Sequence, residues 1–204
     1  RGALPLPLLE LVMQAEDIND VVVVPEQFFV DLINADACEA PCWRGITPGV
    51  TTYDEALPLV ESERLLVEVQ TGEDPDSNLR VIQFRNMGSQ LQDPSFILSE
   101  EGDVVDVISL VDFSMIEAGE VVEVQGDPEF ASAFQSSGPA VFVSLFYPEK
   151  SLIVVAIAEN SEFTDASTII NTQYFTSERF TEILEETAPV AWAGFESLGD
   201  YMVE

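Results

Sequence analysis

Cys38 and Cys42 are the chain's two cysteines, four positions apart in Cys38-Glu39-Ala40-Pro41-Cys42. In an oxidising compartment they can close a small loop as a disulfide. As free thiols they would behave as small buried hydrophobes. A redox pair or a metal site is the third reading, but a thiolate metal site needs about four ligands, and the chain has no histidine to help complete one. The missing imidazole also removes Ser-His and Cys-His nucleophile pairs. Lys150-Ser151 is a Ser–Lys neighbour, but it falls at an expected hairpin tip, where a lysine stays solvated and protonated. Carboxylates are abundant, and a glycosidase-type pair fits the composition without the sequence selecting one. Asp74-Pro75-Asp76-Ser77-Asn78 carries the alternating oxygens of a calcium loop's first half. Leu79 then stands where the turn glycine belongs and Arg85 where the closing glutamate belongs. We expect a solvated acidic turn there and no cofactor, calcium being the ion with a partial motif. Gly45 and Gly49 have neither the lysine nor the spacing of a phosphate cradle.

The charge balance narrows the partners. Asp and Glu number 38 against 7 Lys and Arg, for a net −31 over 204 residues. Phosphate backbones and anionic lipid headgroups are repelled by such a surface, which excludes nucleic acid. Basic proteins and cations remain as partners. The chain is also 47% hydrophobic, more than a disordered acidic chain carries. We expect a folded domain with apolar surface left over for a protein partner or for self-association as a homo-oligomer. No uncharged run approaches the roughly 20 residues of a membrane helix. The chain opens on Arg1 without methionine, and we expect a processed N-terminus.

The elements that must position these groups follow from periodicity and turn chemistry. Residues 1–36 read as an N-terminal arm: a strand at Val21, Val22, Val23 and Val24, then a helix from Pro25 with Phe28, Phe29, Leu32 and Ile33 on one face. Pro48-Gly49 turns the chain into Thr52, which has capping-box spacing to Glu55. The helix that follows, Tyr53 to about Arg64, contains Pro58, where we expect a break or kink. Strands are expected at Leu65–Gln70, Arg80–Arg85, Phe96–Leu98 and Val104–Val111, with Thr71–Asn78 an acidic turn. A second cycle starts with a helix at Ile116–Gln125, ended by Gly126-Asp127-Pro128. Ala140–Tyr147 and Leu152–Ala158 form a hairpin about Pro148–Ser151, and Thr168–Phe175 is a further strand. Thr176 or Ser177 caps a last helix, Glu178–Glu186. The fold class is thus α+β: antiparallel sheet with helices on one face, in two tandem helix-then-strands repeats. The organisation is arm 1–36, first repeat 37–112, and second repeat 113–204 with an aromatic tail. Trp192, Phe195 and Tyr201 of that tail, with Val21–Val24, are the candidate interaction patch.

Pro41-Cys42-Trp43-Arg44-Gly45-Ile46-Thr47-Pro48-Gly49-Val50-Thr51-Thr52 resembles a motif of uncharacterised secreted or lipid-anchored bacterial envelope proteins. Gln125-Gly126-Asp127-Pro128, Phe146-Tyr147-Pro148 and Trp192-Ala193-Gly194-Phe195 with Tyr201 extend the resemblance over residues 38–201. The pattern is more distantly similar to small outer-membrane assembly lipoproteins of the SmpA/OmlA type, and to the tandem helix-plus-sheet fold of the β-lactamase inhibitor protein. This chain departs from the first of these in Pro58, in having no clear Gly-x-Pro after its first helix, and in its leading 36 residues, which have no counterpart there. The resemblance implies a place outside the cytoplasm and protein binding without catalysis. We therefore expect a non-catalytic extracytoplasmic interaction or structural module, a subunit of a cell-surface or envelope assembly. The alternatives are a carboxylate-based, glycoside hydrolase-like enzyme and a carbohydrate-binding module.

Overall fold

In the computed structural model the described residues are 38, 40–64, 66–74, 79–86, 94–99, 103–111, 116–135, 140–158, 162–195 and 198–202. The expected arm, with its strand at Val21–Val24, and residues 75–78 of the calcium-like turn lie outside them.

Helix α1 spans Tyr53–Ser62, and strands β1 (Leu66–Asp74), β2 (Leu79–Asn86), β3 (Ser95–Ser99) and β4 (Val107–Val111) follow. Helix α2 spans Ala118–Gln125, followed by β5 (Phe130–Gln135), β6 (Val141–Tyr147), β7 (Leu152–Ala158) and β8 (Thr168–Phe175). Helix α3 is Ser177–Thr187, and β9 is the two-residue strand Val190–Ala191. The strands form one antiparallel sheet in the order β1-β2-β3-β4-β8-β7-β6-β5-β9. Fold class is therefore α+β. No helix among the described residues is long and apolar enough to cross a membrane.

Successive residues of a strand point to opposite faces, and the core divides accordingly. Ile82 and Phe84 of β2, Ile97 of β3, Ile108 and Leu110 of β4, Val143 and Leu145 of β6 and Val154 of β7 are buried in one cluster with Ala56 and Val60 of α1 and Ala118 and Val121 of α2. Val107, Phe146, Ile153 and Phe175 are buried on the other side with Phe180 of α3, flanked by Phe96, Leu98, Ile183 and Leu184. The expectation of helices on one face thus holds for α1 and α2 and is corrected for α3. The cause is the strand pattern itself: where both alternating positions are apolar, both faces must be covered.

Other elements depart from expectation for local reasons. Helix α1 runs through Pro58. That residue is exposed, so the backbone carbonyl it leaves unpaired one turn earlier can be hydrated. Thr71–Asp74 is not a turn but the end of β1, pairing in register with Ile82–Leu79 of β2. Strand β5 is rich in Ala and Ser, which are weak strand formers. Ala131 and Ala133 put it in the first cluster, where Trp192 and Tyr201 also pack. The hairpin about Pro148–Ser151 forms as expected, with Tyr147 opposite Leu152 and a 3-10 turn over Pro148–Lys150.

Phe180 is the one α3 residue classed as buried, at 2% exposure, and it anchors α3 on the sheet. Phe180→Ala should lower the unfolding free energy by about 3 kcal/mol, read by urea denaturation. A change below about 0.5 kcal/mol, the range of ordinary surface substitutions, would contradict the placement of α3.

Candidate interaction site

The segment that delivers the chain to α1 is a strap. Cys38 and Cys42 are joined as a disulfide. Trp43 and Ile46 exchange two backbone hydrogen bonds of 2.8 Å. Between them Arg44 and Gly45 both have positive φ, 48° and 84°, the geometry of a type I′ turn, which favours glycine. The Gly45 amide donates to Cys38 Sγ at 3.3 Å, which ties the disulfide loop to this turn. The turn sends Trp43 inward, 1% exposed, to stack on Phe84 at 5.6 Å between ring centroids. Arg44 reaches the end of α1, where its Nη1 lies 2.6 Å from Glu63 Oε2.

At Thr52 the capping box forms. The Glu55 amide donates to Thr52 Oγ1 at 3.3 Å, and the Thr52 amide and hydroxyl donate to Glu55 Oε2 at 3.0 and 2.8 Å. The amide donation and then the hydroxyl donation hold the Glu55 carboxyl below its usual range.

The first turn of α1 faces β1 across a recess of about 400 Å³ lined by Tyr53, Asp54, Leu57, Thr71, Glu73 and Arg80. Arg80 organises it. Its Nη2 reaches Asp54 at 2.8 Å, its Nε reaches Glu73 at 3.1 Å and its Nη1 reaches Asp103 at 3.1 Å. The guanidinium also lies 3.8 Å from the centre of the Tyr53 ring, a cation–π contact. Tyr53 donates its hydroxyl hydrogen to the Val81 carbonyl at 3.1 Å. Burial raises the phenol's pKa, against the opposing field of Arg80. One cation among three carboxylates leaves the recess with a net excess of negative charge. The sequence reading missed Arg80; the signal would have been that a chain this poor in cations places one inside a strand.

A smaller recess, about 120 Å³, sits at the C-terminal end of α2, with Gln125, Asp127, Glu129, Tyr147 and Lys150 in its walls. Lys150 donates to the Gln125 main-chain and side-chain oxygens at 2.6 and 2.9 Å, which complements the negative end of the helix dipole. Its neighbour Ser151 instead lies 3.4 Å, hydroxyl to hydroxyl, from Ser177 at the start of α3. The Ser–Lys neighbours are thus drawn to different helices. Among the described residues no group of three or more Asp, Glu or Cys side chains is gathered as metal ligands would be.

The tail residues come together, but inward. Trp192 stacks on Tyr201 at 5.7 Å and meets Phe195 and Phe163 edge-on. Tyr201 is 1% exposed. Its hydroxyl accepts from the Ala193 amide at 3.0 Å and donates to the Gly194 carbonyl at 2.6 Å. Tyr201 therefore leaves the expected exposed patch, because a buried phenol whose hydroxyl bonds two backbone groups serves as a corner post. Trp192 and Phe195 stay half-buried on the flank of the core.

Two outcomes are expected. The disulfide closes a five-residue loop, and loop entropy puts its contribution at about 2 kcal/mol. The Cys38→Ser, Cys42→Ser double variant should lose about that much in urea, with the fold retained. Glu55, with its pKa lowered in the fold, contributes stability that is present above the ordinary carboxylate range and is lost as pH falls through the lowered value. Thermal melts from neutral to acid should therefore show a shallower acid decline for Glu55→Gln than for the parent chain; parallel declines would refute this.

No protein-family model, no curated protein and no solved structure matches this chain.

Proposed function

We propose that this protein is a non-catalytic, extracytoplasmic interaction or structural module, a component of a cell-surface or envelope assembly. One observation carries the reading: the carboxylates around the recess between α1 and β1 are tied to a single arginine. Charge held in that way positions α1, β1 and the approach to β4 against one another, which is the work of a structural contact. The solvent-touching disulfide strap supports a site outside the reducing cytosol.

Support for two tandem units comes from matching contacts. Thr52, the N-cap of α1, bridges Val104, and Glu117, the N-cap of α2, bridges Thr168. The Tyr53 amide donates to the Asp103 carbonyl as the Ala118 amide donates to that of Ser167. The Val105 amide donates to the Thr51 carbonyl as the Ile169 amide donates to that of Ile116. Each helix is thus moored, position for position, to the chain entering the fourth strand of its own half. In this reading β4 and β8 meet about an approximate two-fold axis.

A second reading, carbohydrate binding, draws on Phe134, which is 50% exposed and stacked on Phe142 at 5.2 Å.

Thiol trapping in intact producing cells tests the leading reading. After cell fractionation, the expected result is protein outside the cytoplasm whose Cys38 and Cys42 react with maleimide only after reduction. Cytosolic protein with both thiols free would overturn it.

A further inference from the structure

The two lateral edges of the sheet end differently. At the β5 edge the chain covers itself: β9 pairs with Phe130 and Ala131, and the Ala133 amide donates to the Tyr201 carbonyl. At the far edge β1 pairs with β2 on one side and, among the described residues, with nothing on the other. The first part of β1 is unsuited to further pairing. Its register shifts between Val67 and Gln70, and Glu68 has a φ of 55°, the kind of bulge that turns an edge away. From Gln70 to Asp74 the ladder to β2 is unbroken. That stretch presents outward N–H and C=O groups at alternate residues. It includes Gly72, which presents no side chain there.

The acidic recess lies directly beside this stretch, between β1 and α1. Thr71 and Glu73 stand opposite Ile82 and Arg80, and Ile82 belongs to the core on the α1 side. A strand laid against β1 would therefore turn alternate side chains over the recess. There they would meet Asp54 and Glu73, whose side chains are 78% and 68% exposed.

We propose that the groove between α1 and the Gln70–Asp74 edge is the docking site for an extended, lysine- or arginine-bearing segment of a partner protein, which joins the sheet as a strand next to β1. The proposal rests on the interaction-module reading and gives that module its surface. Main-chain hydrogen bonds supply the affinity, and side chains over the recess supply the selectivity. The net negative lining attracts a basic segment and repels an acidic one. A second copy of this chain also carries −31, so like charges oppose edge-to-edge pairing of two copies.

Fluorescence anisotropy of the full chain with a labelled peptide of alternating lysine and valine tests the proposal. The expected result is saturable binding that weakens as salt rises, with a glutamate-for-lysine peptide bound at least about tenfold more weakly. Glu73→Lys should weaken the basic peptide by about tenfold and narrow the gap between the two peptides. Because N–H groups alternate in direction, one of Thr71→Pro and Gly72→Pro removes an outward donor and spares the β1–β2 ladder. Whichever variant keeps the parent melting temperature should lose binding. Unchanged binding in that variant and in Glu73→Lys would overturn the proposal, as would no binding by the full chain. Binding seen only after deletion of residues 1–37 would assign the edge to this chain's own N-terminus, and a dimer abolished by the proline variant would assign it to a second copy; either result overturns the proposal. Failure here with the protein oxidised outside the cytoplasm removes the groove alone, whereas reduced cytosolic protein removes the module reading whatever the peptide does.

Discussion

The ladder between β4 and β8 makes one sheet of two halves. Val107 through Val111 pair with Phe175 through Asn171, and the covering layers are laid over that seam. Ile108 and Leu110 turn toward the side that α1 and α2 cover, while Val107 and Phe175 turn toward α3. The partners are far apart in sequence, so the entropy of closing a long loop opposes the pairing until other contacts hold it. The moorings of the helix starts supply those contacts. Thr51–Tyr53 grips Asp103–Val105 just before β4, and Ile116–Ala118 grips Ser167–Ile169 at the entry to β8. Gly119 completes the second mooring. Its amide donates to the Asp165 carbonyl at 2.8 Å, and a Cβ on it would come within 2.9 Å of the Asp165 Cβ. The loop can approach this closely only because that position has no side chain.

A chain with 7 cations and 38 carboxylates gains most from cations placed where elements meet. Arg80 joins α1, β1 and the approach to β4. Arg44 joins the strap to the end of α1, Arg85 joins β2 to β1 through Glu68, and Lys150 joins the β6–β7 turn to α2. Individual exposed pairs contribute little to stability. Their effect is to fix which carboxylates sit together, and so to shape where the surface stays negative. The acidic recess beside β1 follows from this placement.

Much of this was legible in local chemistry. Thr52 and Glu55 announced their capping box, Thr176 its cap, and Pro148–Ser151 its hairpin, because each depends on residues within a few positions of one another. What was not legible depends on partners distant in sequence. Nothing in Phe130–Gln135 marks a strand until β6, β9 and Tyr201 flank it. Thr71–Asp74 reads as a polar turn because an edge strand has few apolar neighbours to satisfy. The side taken by α3 could not follow from its own apolar stripe, which fits either face of the sheet equally well. Tyr201 looked exposable because sequence shows a hydroxyl but not the backbone amide that donates to it or the carbonyl that accepts from it.

The high hydrophobic fraction also has a structural use. It had pointed to apolar surface left over for a partner. Among the described residues, apolar side chains cover both faces of one sheet, in two separate clusters. The large apolar side chains that stay exposed among the described residues, such as Val50, Leu59, Val124 and Phe134, come from separate elements, and scattered apolar groups of this kind are ordinary on a protein surface. On the proposed reading, the described residues therefore offer a partner less greasy contact than main-chain groups and charge. Among the described residues those two resources coincide at the regular half of β1, where an edge with no strand beside it runs next to carboxylates that outnumber their arginine.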